Sequence, residues 1–463
     1  MLTICETLIG LVGLILTVWH DVFSPVLFWH WSNPQMAEVH GNIFTLWLGH
    51  TPGVVLHGFQ AVKDGLNTHP EEFSGRLETP VFKRLGLQCI MFSSGHTWKQ
   101  QRRFGLMTLR NLGLGKKGLE HQIQEEARHL VGYFETVKGK SLDPSVPIVH
   151  AVSNVICAVV FGHRFSLEDE TFHRLIEAFD CILAFGNSFH FLLFELLPWL
   201  MHHLPGPQQK ANSCCEFVRS FIRKEIRSHK ERGIPDKPQD FIDFYLAQIA
   251  KVSMLLQCCG FKRKIFLGGF LDLKVNFKDY LKNLCARIQR GIELKKVQKE
   301  LDTVLGPSQL ICYEDRKKLP YANAVIHEIQ RYCSIVLIAI PRESGKDTTL
   351  QGFPIPKGTL ILPNLDSVLF DPEKWESPRQ FSPSRFLDKE GNFVNREAFL
   401  PFSTGSRVCL GEQLARSELF IFFANLLRAF KFTLPQGGKE ISTELVLGST
   451  MQPQPYKLCV VPR

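Results

Sequence analysis

The chain of 463 residues is 44% hydrophobic and 21% charged, a globular composition that excludes a largely disordered protein. Its 13 cysteines are odd in number and include no C-x-x-C pair, which argues against a disulfide framework or a zinc site and predicts a reducing, cytosol-facing environment. The net charge of +9 favours an acidic protein partner or reflects a solvated lysine-rich surface, and because no nucleic-acid-binding motif accompanies it, we predict no nucleic-acid binding.

The N-terminus opens with an apolar run that predicts a membrane anchor. Residues 2–19 are apolar apart from threonines and one glutamate, and this length of about 18 residues just reaches across a bilayer. A cleaved signal peptide is the alternative, but no basic region precedes the run and no small-x-small site closes it. We predict an anchor at residues 1–20 and a linker at 21–39, in which Trp29 and Trp31 suit either the membrane interface or a protein core.

The remainder predicts one folded domain. Length alone, at about 150 residues per domain, suggests about three domains. However, no Gly/Ser linker, repeat or low-complexity tract divides the chain after residue 40. We therefore predict a single domain over residues 40–463.

Two aromatic features precede the middle of the chain. Trp98 and Arg102 are four residues apart and share one face of a predicted helix, where the indole N–H and the guanidinium either grip one carboxylate or form a cation–π pair. Residues 185–199 hold four phenylalanines and a tryptophan. They suit a pocket roof, a membrane-dipping element or ordinary core packing.

The second half predicts a helix, a small sheet and a reactive loop. Glu328 and Arg331 are three residues apart in a helical stretch from Tyr321 and face the same neighbour. Residues 352–362 predict short strands joined by tight turns. A loop at residues 402–411 follows this sheet in the chain.

The loop at residues 402–411 presents one cysteine in the surroundings that a metal-bound thiolate needs. Gly405 supplies backbone freedom, and Gly411 allows close approach of the backbone to a flat cofactor. Cys409 precedes an apolar helical run to Phe430, so its sulfur is expected at a helix N-terminus, which favours the thiolate. Arg407 suits a carboxylate such as a haem propionate.

The pattern F-x-x-G-x-R-x-C-x-G in this loop resembles the haem-binding loop of the cytochrome P450 family. Residues 98–102 resemble the family's W-x-x-x-R helix, in which both residues contact the haem carboxylates. Arg342 lies in a segment resembling one whose basic residue reaches a propionate, with a surface arginine as the alternative. The resemblance makes Cys409 the iron ligand and implies these cofactor-binding residues: Trp98, Arg102, Arg342, Phe402, Gly405, Arg407, Cys409 and Gly411.

Two further motifs resemble the family's structural charge network. Glu328 and Arg331 match its E-x-x-R, and residues 381–386 match its F-x-P-x-R-F. In the family these residues form a buried network behind the haem. Glu328, Arg331 and Arg385 are therefore predicted to be structural and not catalytic.

The resemblance implies a mainly α fold with small β-sheets (α+β) behind an N-terminal anchor. Residues 154–162 and 204–207 further resemble the microsomal family 2 group of vertebrates. The implied activity is a haem b monooxygenase that inserts one oxygen atom from O2 into lipophilic substrates such as xenobiotics, fatty acids or steroids. NADPH–cytochrome P450 reductase, with cytochrome b5 as a second candidate, is the implied electron donor. The implied location is the endoplasmic reticulum membrane, facing the cytosol.

The chain departs from the family at its centre. Members have a long helix with an A-G-x-[DE]-[TS]-like segment whose acid and hydroxyl deliver protons, whereas residues 252–293 are of unfamiliar pattern. Ungapped counting back from Val297 places residues 271–275 there, without a hydroxyl, and a three-residue shift retains only an acid. The proline-rich hinge expected near residue 32 is reduced to one proline. Both departures are abrupt, which suggests exon omission or translated intron; sequencing the transcript across both junctions tests this.

Three functional hypotheses therefore stand. The first is the monooxygenase, whose catalytic acid and hydroxyl pair is not identified in this sequence. The second is a haem-binding protein with impaired or absent turnover because the central motif is missing. The third is a membrane protein without haem that retains the motifs by descent.

Overall fold

The computed structural model describes residues 34–48, 51–86, 89–114, 117–255, 292–306, 309–436, 445–447 and 450–463. The described helices are α1 Pro34–His40, α2 Gly58–Lys63, α3 Pro80–Arg84, α4 Gly95–Asn111, α5 Lys117–Val137, α6 Ser145–Phe161, α7 Glu170–Gly186, α8 Phe189–Leu196, α9 Pro198–Met201, α10 Pro207–Arg232, α11 Phe241–Leu255, α12 Ile292–Val304, α13 Pro320–Cys333, α14 Leu365–Leu369 and α15 Glu412–Ala429. The described strands are β1 Ile43–Leu48, β2 Thr51–Leu56, β3 Ser141–Leu142, β4 Arg342–Glu343, β5 Thr348–Leu350, β6 Phe353–Ile355, β7 Leu360–Pro363, β8 Phe430–Thr433, β9 Leu445–Leu447, β10 Met451–Pro453 and β11 Leu458–Pro462.

The core lies between long helices. The largest cluster of buried apolar side chains joins α5, α6, α7, α10, α13 and α15. Helix α6 is buried on nearly all sides, as expected for a helix without a polar face. In contrast, α4 buries one face, which includes Trp98, Phe104 and Leu109, and exposes Lys99 and Arg103 on the other. The helical periodicity of α4 therefore aims Trp98 at the interior.

Small sheets lie beside the helices. The largest has the strand order β1-β2-β7-β4, in which β2 pairs parallel with β7 and Arg342 of β4 lies opposite Ile361. Strands β5 and β6 form a hairpin whose turn holds Gln351 and Gly352 at positive φ. This hairpin and β7 match the short strands predicted at residues 352–362. Strand β4, at the edge of this sheet, carries Arg342.

The mainly α fold with small sheets is confirmed. The predicted anchor at residues 1–20 lies outside the described residues, as do most of the linker and residues 256–291 of the unfamiliar segment. The end of the predicted linker is helical over Pro34–His40. No single described helix is long and apolar enough to cross a membrane, while α7 and α8 pass that test only as a pair bent by 60°.

Candidate functional site

The Cys409 loop leads directly into helix α15. The Cys409 N–H donates to the Phe402 carbonyl oxygen at 3.1 Å, and the Val408 N–H donates to the Gly405 carbonyl oxygen at 3.1 Å. These two bonds curl the loop back on itself. Helix α15 begins at Glu412, so the half-buried Cys409 lies just before a helix N-terminus. The partial positive charge there favours a thiolate at Cys409.

Position 405 requires glycine because of the backbone that lies against it. Its φ is +76°, and a Cβ added there would lie 2.1 Å from the carbonyl oxygen of Leu66. No side chain fits against that backbone. Gly411 is different, since its φ of −92° is open to any residue. The backbone angle therefore gives no reason for glycine at position 411.

Helix α4 contacts the loop through both residues predicted from the sequence. The Arg102 Nη2 donates to the Val408 carbonyl oxygen at 2.7 Å. The guanidinium that covers the Trp98 ring belongs to Arg407, whose Cζ is 3.8 Å from the ring centroid. The cation–π contact at Trp98 is thus made by a residue far away in sequence, and Arg102 is directed at the loop backbone.

Arg407 is buried and surrounded by backbone carbonyl groups. Its Nη2 donates to the carbonyl oxygens of Ser74 at 2.6 Å and Ser93 at 2.7 Å, and its Nε donates to Ser74 at 2.9 Å. Burial most of all, and then the charges of Arg76, Arg342 and Arg102 in that order, lower the pKa of Arg407 to about 8. Arg407 is therefore held among other cations.

Arg342 is 1% exposed, so the alternative of a surface arginine is wrong. Its Nη2 lies 3.3 Å from the Ser403 Oγ and from the Thr404 carbonyl oxygen, within the Cys409 loop. Among the described residues, its Nε and Nη1 have no hydrogen-bond partner. Burial, followed by the charges of Arg76 and Arg102, lowers the pKa of Arg342 to about 9.

Arg76 is a member of this cluster that no sequence motif indicated. Its Nη1 donates to the Pro341 carbonyl oxygen at 2.7 Å, and its Nε donates to Met91 at 3.0 Å. The side chain is 7% exposed. Since these contacts join positions far apart in the chain, only the folded structure places Arg76 beside Arg342 and Arg407.

Three buried arginines, Arg76, Arg342 and Arg407, and the half-buried Arg102 form a cluster that fits an anionic cofactor. Within the described part of the chain, the hydrogen bonds of Arg342 and Arg407 go to backbone carbonyls and to the Ser403 hydroxyl. Buried charge without a counter-charge is costly. The unsatisfied Nε and Nη1 of Arg342 are donors suited to carboxylate oxygens. This donor set fits the two propionates of a haem beside Cys409.

The predicted charge network is present in the geometry of α13. Glu328 and Arg331 are both 0% exposed, and the Arg331 Nε and Nη2 donate to the two Glu328 carboxylate oxygens at 2.7 Å and 2.8 Å. The Arg385 Nε lies 3.5 Å from Glu328 Oε1, which also accepts the Ser382 N–H at 2.8 Å. Arg331 donates in addition to the Leu369 carbonyl oxygen at 2.8 Å. These bonds tie α13 to the segments that precede the Cys409 loop.

The aromatic stretch at residues 185–199 divides between core and surface. Phe185 and Phe194 are buried, whereas Trp199 is 68% exposed. The Phe191 ring lies 5.8 Å from that of Phe82 in α3. Core packing therefore explains the first part of the stretch, and Trp199 is presented to the surroundings.

Comparison with known proteins gives one family. The family model described as Cytochrome P450 matches residues 30–254 and 293–460, and the gap coincides with the segment of unfamiliar pattern. Cytochrome P450 2J2 of Homo sapiens is 40% identical over 444 residues, which cover 94% of this chain and 87% of that protein. Cytochrome P450 2J5 of Mus musculus is 39% identical over 435 residues, 93% and 86% of the two chains. Cytochrome P450 2C23 of Rattus norvegicus is 37% identical over 447 residues, 93% and 89%.

Proposed function

Because the chain belongs to the cytochrome P450 family of haem-thiolate monooxygenases and resembles its family 2, we propose that Cys409 is the axial ligand of haem b. The observation that carries this proposal is the buried arginine cluster beside the Cys409 loop, with two unsatisfied nitrogens on Arg342. When bound, a thiolate-ligated haem iron supplies the activation of O2 and the insertion of one oxygen atom into a substrate. The chain holds and orients that group.

Each part of the site has a role in this proposal. Arg342 and Arg407, with Arg76 and Arg102, are proposed to neutralise the haem carboxylates, and the Trp98 indole N–H is proposed to donate to one of them. The surroundings of Gly405 keep the loop pressed against Leu66. The N-terminus of α15 favours the thiolate form of Cys409. Together these groups determine where the haem lies and which sulfur binds its iron.

A basic stripe on α4 supports docking of an electron donor. Lys99, Arg103 and Arg110 are exposed and follow one helix face, with Met107, 47% exposed, between them. Helix α4 carries Arg102 on its inner side, which contacts the Cys409 loop. We propose that an acidic surface of NADPH–cytochrome P450 reductase, or of cytochrome b5, binds this stripe.

Exposed apolar side chains near α8 and α9 support a membrane contact. Trp199, Leu197 and Leu204 are 68%, 39% and 43% exposed. An aromatic residue and two leucines on one short segment are suited to a lipid interface. We propose that the protein lies on the endoplasmic reticulum membrane, facing the cytosol, with the predicted anchor at residues 1–20. Its substrates are then lipophilic, such as xenobiotics, fatty acids or steroids.

The spectrum of the reduced, carbon-monoxide-bound protein tests the ligand. The full chain in membranes is expected to show the band of a thiolate-ligated haem, and Cys409→Ser to lose it. Cys459→Ser is the matched control, because Cys459 is also half-buried but lies in β11. A thiolate-type band that remains in Cys409→Ser contradicts the assignment of Cys409 as the iron ligand. A wild-type chain without any haem band favours a protein that retains the motifs by descent.

A second candidate function is a haem-binding protein with impaired turnover. The observation that favours it is the gap in the family match between residues 254 and 293, where proton-delivering residues are expected. With reductase and NADPH, such a protein consumes NADPH and releases peroxide without oxidised product. Product formation coupled to NADPH consumption rules this candidate out and supports the monooxygenase.

A further inference from the structure

His327, the residue before Glu328 on α13, has a fixed tautomer. Its Nδ1 donates to the Asn323 carbonyl oxygen at 2.8 Å, so the neutral ring has an acceptor at Nε2. That Nε2 lies 3.3 Å from the Arg416 Nη1. Burial and then the charge of Arg416 lower the pKa of His327 to about 3, so the ring stays neutral under ordinary conditions. His327 therefore accepts a hydrogen bond from Arg416.

Arg416 is held in one orientation. Its Nε and Nη2 donate to Glu412 Oε1 at 3.0 Å and 2.9 Å, one turn earlier on α15. The contact with His327 engages a third nitrogen. The guanidinium thereby lies over the Phe402 ring, with its Cζ 5.2 Å from the ring centroid. A planar group fixed at three nitrogens has little freedom to leave that ring.

Phe402 connects His327 and Arg416 to Cys409. Its side chain is 5% exposed, and its carbonyl oxygen accepts the Cys409 N–H at 3.1 Å. The contacts therefore run from His327 to Arg416, from Arg416 to Phe402, and from Phe402 to Cys409. They reach the loop from the helix that also carries the Glu328 network.

We propose that His327 is a positioning residue for the Cys409 sulfur, acting by holding Arg416 against Phe402 at the start of the ligand loop. This inference rests on the proposed function, because it concerns how the loop presents the thiolate to haem iron. A positive charge kept near the loop also stabilises the reduced, more negative haem-thiolate centre. Without the His327 contact, Arg416 is freer to move away from Phe402, so the loop gains freedom and the reduction potential of the bound haem becomes more negative.

The test compares two substitutions of His327. His327→Leu and His327→Gln both lose the Nδ1 donor, but glutamine carries an oxygen acceptor at about the reach of Nε2. In the full-length haem protein, we expect His327→Leu to give a more negative reduction potential and a smaller thiolate-type fraction in the carbon monoxide spectrum. His327→Gln is expected to restore most of both. Arg416→Gln should resemble His327→Leu, and the double variant should add little.

A matched control separates positioning from loss of stability. His229 likewise donates from Nδ1 to a carbonyl oxygen four residues earlier, at 2.8 Å, and is 3% exposed, but it contacts Asp240 and not the loop. His229→Leu is expected to lower stability without changing the potential. An unchanged potential in His327→Leu, an equal shift in His229→Leu, or additive effects of His327→Leu and Arg416→Gln overturn the inference. A wild-type chain that binds no haem defeats the proposed function instead.

Discussion

Replacing Gly405 with alanine should damage the site more than the loss of a turn glycine can explain. The φ of +76° costs an L-residue about 1–2 kcal/mol. The new methyl would also lie 2.1 Å from the Leu66 carbonyl oxygen, a backbone atom that a rotamer change cannot move. Forcing atoms into a packed region typically costs about 1–3 kcal/mol. The two effects together predict a loss of about 2–5 kcal/mol.

Gly391 provides the comparison that isolates the steric effect. Its φ is +87°, and a Cβ there would meet no atom within 4 Å. Gly391→Ala should therefore lose only the conformational share, about 1–2 kcal/mol. Urea denaturation followed by circular dichroism measures both losses, and haem absorbance reports occupancy. Equal losses in the two variants, with haem retained in both, refute the reasoning about Leu66.

Substitutions at four buried ionisable residues test the electrostatics of the interior. Arg342→Met should weaken haem binding roughly tenfold to a hundredfold, the range of a charge-assisted hydrogen bond. It should also raise the melting temperature of the haem-free protein, because an uncompensated buried charge is removed. Haem titration and melting curves check this, and a lower melting temperature of the haem-free variant contradicts it. Arg331→Met should lower the free energy of unfolding by about 3–5 kcal/mol, because it leaves Glu328 buried and unpaired. In urea denaturation, the double variant Glu328→Gln/Arg331→Met should lose less stability than the two single variants added together. Glu418 is 0% exposed, and burial raises its pKa well above the ordinary 4.5, so the folded state binds a proton that the unfolded state loses above that pH. As pH rises above 4.5, the free energy of unfolding of the wild type should therefore fall relative to that of Glu418→Gln. Urea denaturation at several pH values measures this difference, and a difference that does not change with pH contradicts the reasoning.

Local periodicity accounts for what the sequence predicts well. Trp98 and Arg102 share one face of α4 because a helix repeats every 3.6 residues, and Glu328 and Arg331 pair for the same reason. The helix after Cys409 is equally local in origin. It ends at Ala429, and Phe430 belongs to β8 because it pairs with Pro462 of β11. The predicted helical run to Phe430 is therefore too long by one residue.

Long-range contacts account for what the sequence does not predict. The spacing of Trp98 and Arg102 predicts that the two side chains share a ligand or a cation–π contact, but the cation over Trp98 is Arg407. Arg76 reaches the site through carbonyl groups of residues 91 and 341, which no repeat or motif connects with it. Such placements depend on how segments pack, and composition and spacing carry no record of them.

Haem binding and turnover depend on different segments of this chain. The groups proposed to hold the haem come from residues 76, 98–102, 342 and 402–411, all inside the two stretches that match the family. The residues expected to deliver protons would fall between 254 and 293, where the match stops. A change in that segment can therefore abolish turnover while the arginine cluster and the Cys409 loop still bind haem. Coupled product formation measured on a protein with an intact thiolate-type spectrum is the observation that decides between the two candidate functions.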